Sequence, residues 1–189
     1  MRIVIAEDEG PIRMDLREIL VDCGYEVVGE AHTGTEALEL IVELKPDAAF
    51  LDISMPGLDG LQVAERLAKE NAICPLIMLT AFSDADFIAR ATEAGVYGYV
   101  VKPFNDTDII PAIEIAVKRF NAEQELRRET HTLAEQLAAR KLIDRAKGIL
   151  MKNGDDEAQA YERIRRTAMD KRLTLAAVAE AIILSNELI

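Results

Sequence analysis

One feature constrains this chain more than any other. Short apolar runs alternate with helix-period segments over the first 120 residues. The runs are Arg2–Ala6, Tyr25–Ala31, Ala48–Asp52, Leu76–Thr80 and Gly98–Val101. Between them, Pro11–Cys23 places Ile12, Leu16, Ile19 and Leu20 at helical spacing and stops at Gly24. Thr33 with Glu36 forms a capping box for a helix through Leu44, Leu61–Glu70 reads as a helix, and Ser83 with Asp86 opens another that ends near Gly95. Asp106–Phe120 closes the series. Continuous apolar strands between helices predict a parallel sheet covered on both faces, an α/β fold of five doubly wound strands. In such sheets reactive side chains collect at the carboxyl edge.

The chain has 189 residues, half of them apolar, enough for one large domain or two small ones. Cys23 and Cys74 sit among apolar neighbours and read as small buried hydrophobes rather than a disulfide or zinc framework. The longest apolar runs, such as Ala48–Leu51 and Pro75–Leu79, are strand-sized, and Met1–Ala6 runs straight into acidic residues without a signal-peptide pattern. A cytoplasmic protein with no membrane partner is the expectation. The net charge of −12 falls entirely on residues 1–120, with 22 acids and 10 bases. Residues 121–189 are neutral, and 138–175 carry 10 bases against 6 acids, so nucleic acid is not excluded as a partner there.

The ends of strands one, three, four and five bring together Glu7-Asp8, Asp52, Thr80 and Lys102. Clustered carboxylates repel one another and favour a cation, and hard oxygen ligands suit Mg²⁺. A carboxylate also serves as a nucleophile towards phosphorus. Phosphoryl transfer then needs alignment and charge neutralisation, which Lys102 and a Thr80 hydrogen bond supply. Asp52, ending the central strand, is the candidate nucleophile, with Glu7 and Asp8 as metal ligands. Taken singly, each residue has a plainer reading: Asp8 as a cap for the helix near Pro11, Lys102 as a surface lysine. Four matching strand ends together favour the chemical one.

The motifs Ile5-Ala6-Glu7-Asp8-Glu9, Leu51-Asp52-Ile53-Ser54-Met55-Pro56-Gly57-Leu58-Asp59-Gly60, Leu79-Thr80-Ala81 and Tyr99-Val100-Val101-Lys102-Pro103-Phe104 resemble the receiver domain of two-component response regulators. The resemblance covers about residues 1–120 and implies a flavodoxin-like fold. It implies phosphorylation of Asp52 by a cognate histidine kinase. It adds the Ser54 backbone carbonyl to the Mg²⁺ ligands, a cis peptide at Lys102-Pro103, and Tyr99 as a switch that turns inward as Thr80 moves onto the phosphate. Glu7 departs from the aspartate common in the family.

Beyond Pro111 the helical pattern runs unbroken to Gly148 or Gly154, with Ile113, Ala116, Val117 and Phe120 expected to pack back on the sheet. Leu126, Thr130, Leu133 and Leu137 form a short heptad seam. Asp155 or Asp156 caps a helix over Glu157–Asp170, and Thr174 caps a last one with Leu175, Val178, Ile182 and Ile183 on one face. The region 121–189 is thus expected to be an all-α, three-helix output domain. Arg140, Lys141, Arg145, Lys147, Arg163, Arg165, Arg166, Lys171 and Arg172 group as an electrostatic footprint for nucleic acid. Gly148 is a helix-weakening choice consistent with close approach of a phosphodiester. The plainer reading is a solvated charged face, since acids are interspersed.

The order Arg140-Lys141-Leu142-Ile143-Asp144-Arg145-Ala146-Lys147-Gly148-Ile149-Leu150-Met151, then Ala160-Tyr161, Ala168-Met169 and Val178-Ala179, resembles the ANTAR output domain. That resemblance implies binding to RNA hairpins of nascent transcripts and transcription antitermination, with RNA polymerase as a further partner; the seam over Leu126–Leu137 offers pairing with a second copy on phosphorylation. Ala146, Ile149, Leu150, Tyr161, Ile164 and Ala168 are expected in the helical core, leaving no aromatic platform for bases. Two other outputs compete. A DNA-binding regulator needs a basic recognition helix, which the third helix is not. An aspartyl-phosphate phosphohydrolase needs a second acid near Asp52, and Ser54 stands where it would be.

Overall fold

The computed structural model describes residues 1–69, 74–81 and 94–187. The described chain runs β1 (Arg2–Ala6), α1 (Gly10–Asp22), β2 (Glu26–Ala31), α2 (Gly34–Leu44), β3 (Ala48–Asp52), α3 (Gly60–Lys69), β4 (Leu76–Thr80), β5 (Gly98–Val101), α4 (Asp106–Lys152), α5 (Glu157–Lys171) and α6 (Leu175–Glu187). The helix expected from Ser83 and Asp86 lies outside the described residues. Two compact units divide the chain, Met1–Gln124 and Glu125–Ile189.

In the first unit, five strands pair in the order β2-β1-β3-β4-β5, every described ladder parallel. Alternation along each strand splits the core in two. Val4, Ala6, Leu51 and Met78 face Ala37 and Ile41 of α2 and Leu61, Ala64 and Leu67 of α3. Ile3, Ile5, Phe50, Ile77 and Leu79 face Leu16 and Leu20 of α1 and Ile109, Ile113 and Ala116 of α4. β3 and β4 are buried at every residue, which explains their unbroken apolar character.

Local chemistry sets the helix ends. Thr33 accepts a hydrogen bond from the Glu36 N–H at 3.2 Å, but the Glu36 carboxylate reaches back to the His32 N–H at 2.7 Å, one residue before the reciprocal partner of a capping box. Asp8 does not cap α1: the N-cap position is Glu9, without a side-chain bond, and Pro11 occupies the first turn. Cys23 closes α1 and is exposed, contrary to the sequence expectation, because the chain turns there through Gly24 at φ 81°. Cys74 is buried as expected.

The second unit is helical. Gly148 does not end α4, which continues through Lys152. Asp156 caps α5 by a full capping box with Gln159, bonds of 2.8 and 3.0 Å. Thr174 receives the Ala177 N–H at 3.1 Å at the start of α6. Ala146, Leu150, Ala160, Ile164, Ala168, Val178, Ala179 and Ile183 make the core, with Ile149, Leu175 and Ile182 packed against it. Tyr161 is not part of it: its neighbours in sequence, Ala160 and Ile164, define the inward face, and Tyr161 falls on the flank at 43% exposure. Leu126, Leu133 and Leu137 of the heptad seam are 63%, 65% and 56% exposed.

Candidate functional site

The register brings the strand ends level. Ala6 pairs with Ala31 and Leu51, Asp52 with Leu79, and Thr80 with Val101. The next residues extend the ladders: Glu7 N–H donates to the Ala31 carbonyl at 3.1 Å and Lys102 N–H to the Thr80 carbonyl at 2.7 Å. Four strands therefore deliver Glu7, Asp52, Thr80 and Lys102 to one edge, the carboxyl edge of the sheet.

There Glu7, Asp8 and Asp52 each offer a carboxylate oxygen, all within 4.8 Å of one another. Glu7 is fully buried, Asp52 5% exposed and Thr80 2% exposed, while Asp8 faces solvent. The Lys102 ammonium bridges the two buried acids, 2.6 Å from Glu7 Oε2 and 2.7 Å from Asp52 Oδ1. Backbone donors hold the other oxygens: Ser54 N–H on Asp52 Oδ2 and Glu9 N–H on Glu7 Oε1, both at 3.2 Å. Burial pushes the Glu7 carboxyl up from its ordinary value, with Asp52 adding to the rise and Lys102 opposing it. Burial disfavours the Lys102 ammonium, but hydrogen bonds to Asp52 and Glu7 outweigh it and its pKa is raised. Lys102–Pro103 is a cis peptide. Tyr99 lies on β5 with half its surface exposed.

Sequence reading missed the parts that position these groups. Arg13 on α1 donates to the Glu7 carbonyl at 2.7 Å and pairs with Glu30 at 3.5 Å, tying β1, α1 and β2 beneath the carboxylates. Gly60 begins α3 directly under the site: a Cβ there would lie 2.3 Å from the Asp52 carbonyl oxygen. Gly34 is as tight, 2.0 Å from the Leu58 carbonyl. A glycine at each of two helix starts was the available signal.

In the second unit the basic residues are solvent-facing, Lys147 apart, which is half-buried. Several carry acidic neighbours. Lys147 Nζ lies 3.0 Å from Glu157 and 3.1 Å from Asp144, and hydrogen bonds to Glu157 and then Asp144 raise its pKa. Arg163 pairs with Asp155 at 3.3 Å, Arg165 with Glu162 at 3.0 Å and Arg140 with Asp144 at 4.0 Å. Lys141, Arg145, Arg166, Lys171 and Arg172 are exposed. At Gly148 an added Cβ would meet nothing within 4 Å. Among the described residues no helix is long and apolar enough to cross a membrane.

Comparison with known proteins agrees with this division. Residues 3–114 match the response regulator receiver domain and residues 131–183 the ANTAR domain. The chain is 49% identical over 183 residues to the transcriptional regulatory protein PdtaR of Mycobacterium tuberculosis, covering 96% of this chain and 89% of that protein. It is 35% identical over 112 residues to the chemotaxis protein CheY of Thermotoga maritima, covering 59% of this chain and 93% of that one. Among solved structures, the receiver domain of the response regulator NarL from Mycobacterium tuberculosis aligns with a TM-score of 0.58 at 32% identity, covering 62% of this chain and 95% of that one. A receiver domain of a diguanylate cyclase from Desulfovibrio desulfuricans aligns equally well, at 0.58 and 32%, over 65% of this chain and 97% of that one. With a five-stranded parallel sheet carrying the acidic cluster and a helical unit following it, the chain belongs to the two-component response regulators that join a receiver domain to an ANTAR domain.

Proposed function

We propose that this protein is a phosphorylation-controlled RNA-binding regulator that antiterminates transcription, working as a receiver of residues 1–120 and an output domain of residues 121–189. The observation that carries the switch is the buried Asp52 carboxylate, held 2.7 Å from Lys102 Nζ beside two further acids. Asp52 attacks the phosphorus of a phosphohistidine presented by a cognate histidine kinase, and the imidazole departs with its proton. Lys102 and Thr80 take equatorial phosphoryl oxygens, and Tyr99 turns inward behind Thr80. The donor set is three carboxylates, all hard oxygens, and it fits Mg²⁺ on Glu7, Asp8 and Asp52, with the Ser54 carbonyl as a further ligand. When bound, the ion neutralises charge on the carboxylates and the incoming phosphoryl group. Beyond this self-modification the protein is a switch and not an enzyme.

Phosphorylation biases a two-state equilibrium read out in the output domain. The exposed seam of Leu126, Leu133 and Leu137 supports association with a second copy. The basic residues of α4 and α5 bind hairpins of nascent transcripts, and the open surface at Gly148 admits a phosphodiester where any side chain would stand in its way. RNA polymerase is the further partner antitermination requires.

Binding to a two-hairpin terminator RNA, with and without beryllofluoride and Mg²⁺, tests the reading. Activated protein binds more tightly, Asp52→Asn removes both phosphorylation and activation, and Lys147→Ala or Arg165→Ala weakens binding. Retained kinase-dependent labelling of Asp52→Asn sinks the acceptor assignment. Absence of RNA binding in both states, with duplex DNA bound at matched salt, favours the DNA-binding alternative.

A further inference from the structure

Tyr161 is the single aromatic residue after Phe120, and the fold leaves it at the surface. α5 buries Ala160, Ile164 and Ala168. On the flank of that face, Tyr161, Arg165 and Met169 recur every four residues, one stripe along the helix, and Arg172 follows at its C-terminal cap. Tyr161 is 43% exposed, Met169 67% and the Arg165 side chain 53%. The stripe begins one turn after Glu157, whose carboxylate holds Lys147 at 3.0 Å, so it continues from the basic surface of α4. Residues 161–173 carry five bases and two acids in a chain of net charge −12. Such a cationic surface fits a polyanion.

A second observation lies at the end of α5. Arg172 closes α5 in the left-handed region, at φ 53° and ψ 41°, where glycine is the unstrained choice. The Leu173 N–H returns to the Ala168 carbonyl at 2.9 Å and the Arg172 N–H to Met169 at 3.3 Å, so the backbone closure is complete without any side chain. The Arg172 side chain takes no part in that closure and faces solvent, so its charge stands available at the end of α5.

We infer that the stripe Tyr161, Arg165 and Met169, with Arg172 at its end, reads an unpaired nucleotide of the RNA, with the Tyr161 ring as the stacking platform and Arg165 and Arg172 on the flanking phosphates. The inference rests on the RNA-binding reading and adds its base-contacting surface. A tyrosine ring offers a flat apolar face to any base, and an adjacent arginine adds a cation to the same stack. Met169 supplies a polarisable edge beside the base. A fully paired duplex presents no base face to such a stripe, so the surface distinguishes looped from fully paired RNA.

The test uses the full chain, activated with beryllofluoride and Mg²⁺, against two RNAs of equal length: a two-hairpin RNA with 2-aminopurine placed in turn at each loop position, and a blunt duplex. Tyr161→Leu weakens the looped RNA by about ten-fold or more, the range of one lost base stack, and leaves the duplex within about two-fold. Tyr161→Phe keeps wild-type affinity. One 2-aminopurine position is quenched by wild type and by Tyr161→Phe but not by Tyr161→Leu. Arg172→Gly raises the thermal midpoint while lowering RNA affinity and reducing the salt slope by about one. Equal binding by Tyr161→Leu and wild type, or equal losses in Tyr161→Leu and Tyr161→Phe, overturns the stacking inference while RNA binding stands. No RNA binding by wild type sinks the RNA reading itself.

Discussion

The same substitution, glycine to alanine, has opposite consequences at Gly60 and Gly148. At Gly60 the new methyl would sit 2.3 Å from the Asp52 carbonyl oxygen, 3.1 Å from its carbon and 3.3 Å from Ile53 Cα, all backbone atoms. Reaching ordinary contact at 3.4 Å requires a shift of about 1 Å between the start of α3 and the end of β3. Over-packing of this kind costs about 1–3 kcal/mol. The Gly60 N–H bond to the Ile53 carbonyl, 3.0 Å, is strained by the same shift and adds about 1 kcal/mol. Gly60→Ala therefore loses on the order of 3 kcal/mol, a change of more than 100-fold in the unfolding equilibrium of the receiver. At Gly148 nothing lies within 4 Å, so alanine gains only its helical preference, about 1 kcal/mol. Urea unfolding of the full chain, with amide exchange followed separately in α3 and in α4, reads the two effects in their own units. Phosphorylation of Asp52 is measured alongside, and Gly60→Ala slows it because the carbonyl that shifts belongs to that residue. An unchanged urea midpoint in Gly60→Ala, or a destabilised α4 in Gly148→Ala, would refute the reasoning from close approach.

Further outcomes follow from single groups. Lys102→Met leaves two buried carboxylates without their shared cation and costs about 3–5 kcal/mol in EDTA; Mg²⁺ restores more stability to this variant than to wild type, because the ammonium and the ion contend for the same oxygens, and equal Mg²⁺ increments would contradict that. The Lys102 pKa is raised on folding, so its contribution is full below the ordinary lysine value and is lost as pH rises through the folded one; the stability gap between wild type and Lys102→Met in EDTA stays level from pH 8 to about 10 and narrows above, and a gap that widens there would reverse the sign. Burial pushes the Cys74 thiol up to about 12, whereas Cys23 is exposed; iodoacetamide at pH 8 labels Cys23 and spares Cys74 in the folded chain, as peptide mass spectrometry reads. Asp156→Ala removes the capping box of α5 and costs the second unit about 1 kcal/mol by amide exchange in α5, and an unchanged α5 would deny the cap its role.

The receiver was legible because its signals are local and redundant. β3 and β4 fall where the apolar runs fall, since a strand buried at every residue keeps an unbroken apolar run up to the single polar residue that ends it, Asp52 or Thr80. The strand-end rule then led to Glu7, Asp52, Thr80 and Lys102 because a parallel sheet in register must deliver its carboxyl ends together. Close approaches were not legible. Gly34 and Gly60 face backbone carbonyls contributed by residues 24 and 8 positions away, and no periodicity reports such contacts. Asp8 is not the cap because α1 begins at Gly10, which puts Glu9 and not Asp8 at the N-cap position.

Tyr161 shows why burial on a helix is harder to read than burial on a strand. Strand residues alternate between two faces, but a helical residue beside the core stripe stands about 100° from its neighbour and can belong to either side. Ala160 and Ile164 are fully buried, and Tyr161 lies between them in sequence but off their line. Charge misleads in the same region for a different reason. Counting bases over 138–175 treats Arg140, Lys147, Arg163 and Arg165 as free, yet each has a carboxylate within 4.0 Å. Exposed pairs are worth about 0–1 kcal/mol, less than a charge-assisted hydrogen bond to phosphate, so an RNA backbone can displace the acids. On the proposed RNA-binding reading, the displaced carboxylates would repel phosphates nearby, favouring an RNA whose backbone follows the basic stripe over one that does not. On the same reading, the acids interspersed through α4 and α5 would act as a filter on RNA shape, with the Tyr161 stripe, flanked by Glu162 and Asp170, as the place where such a filter leaves room for a base.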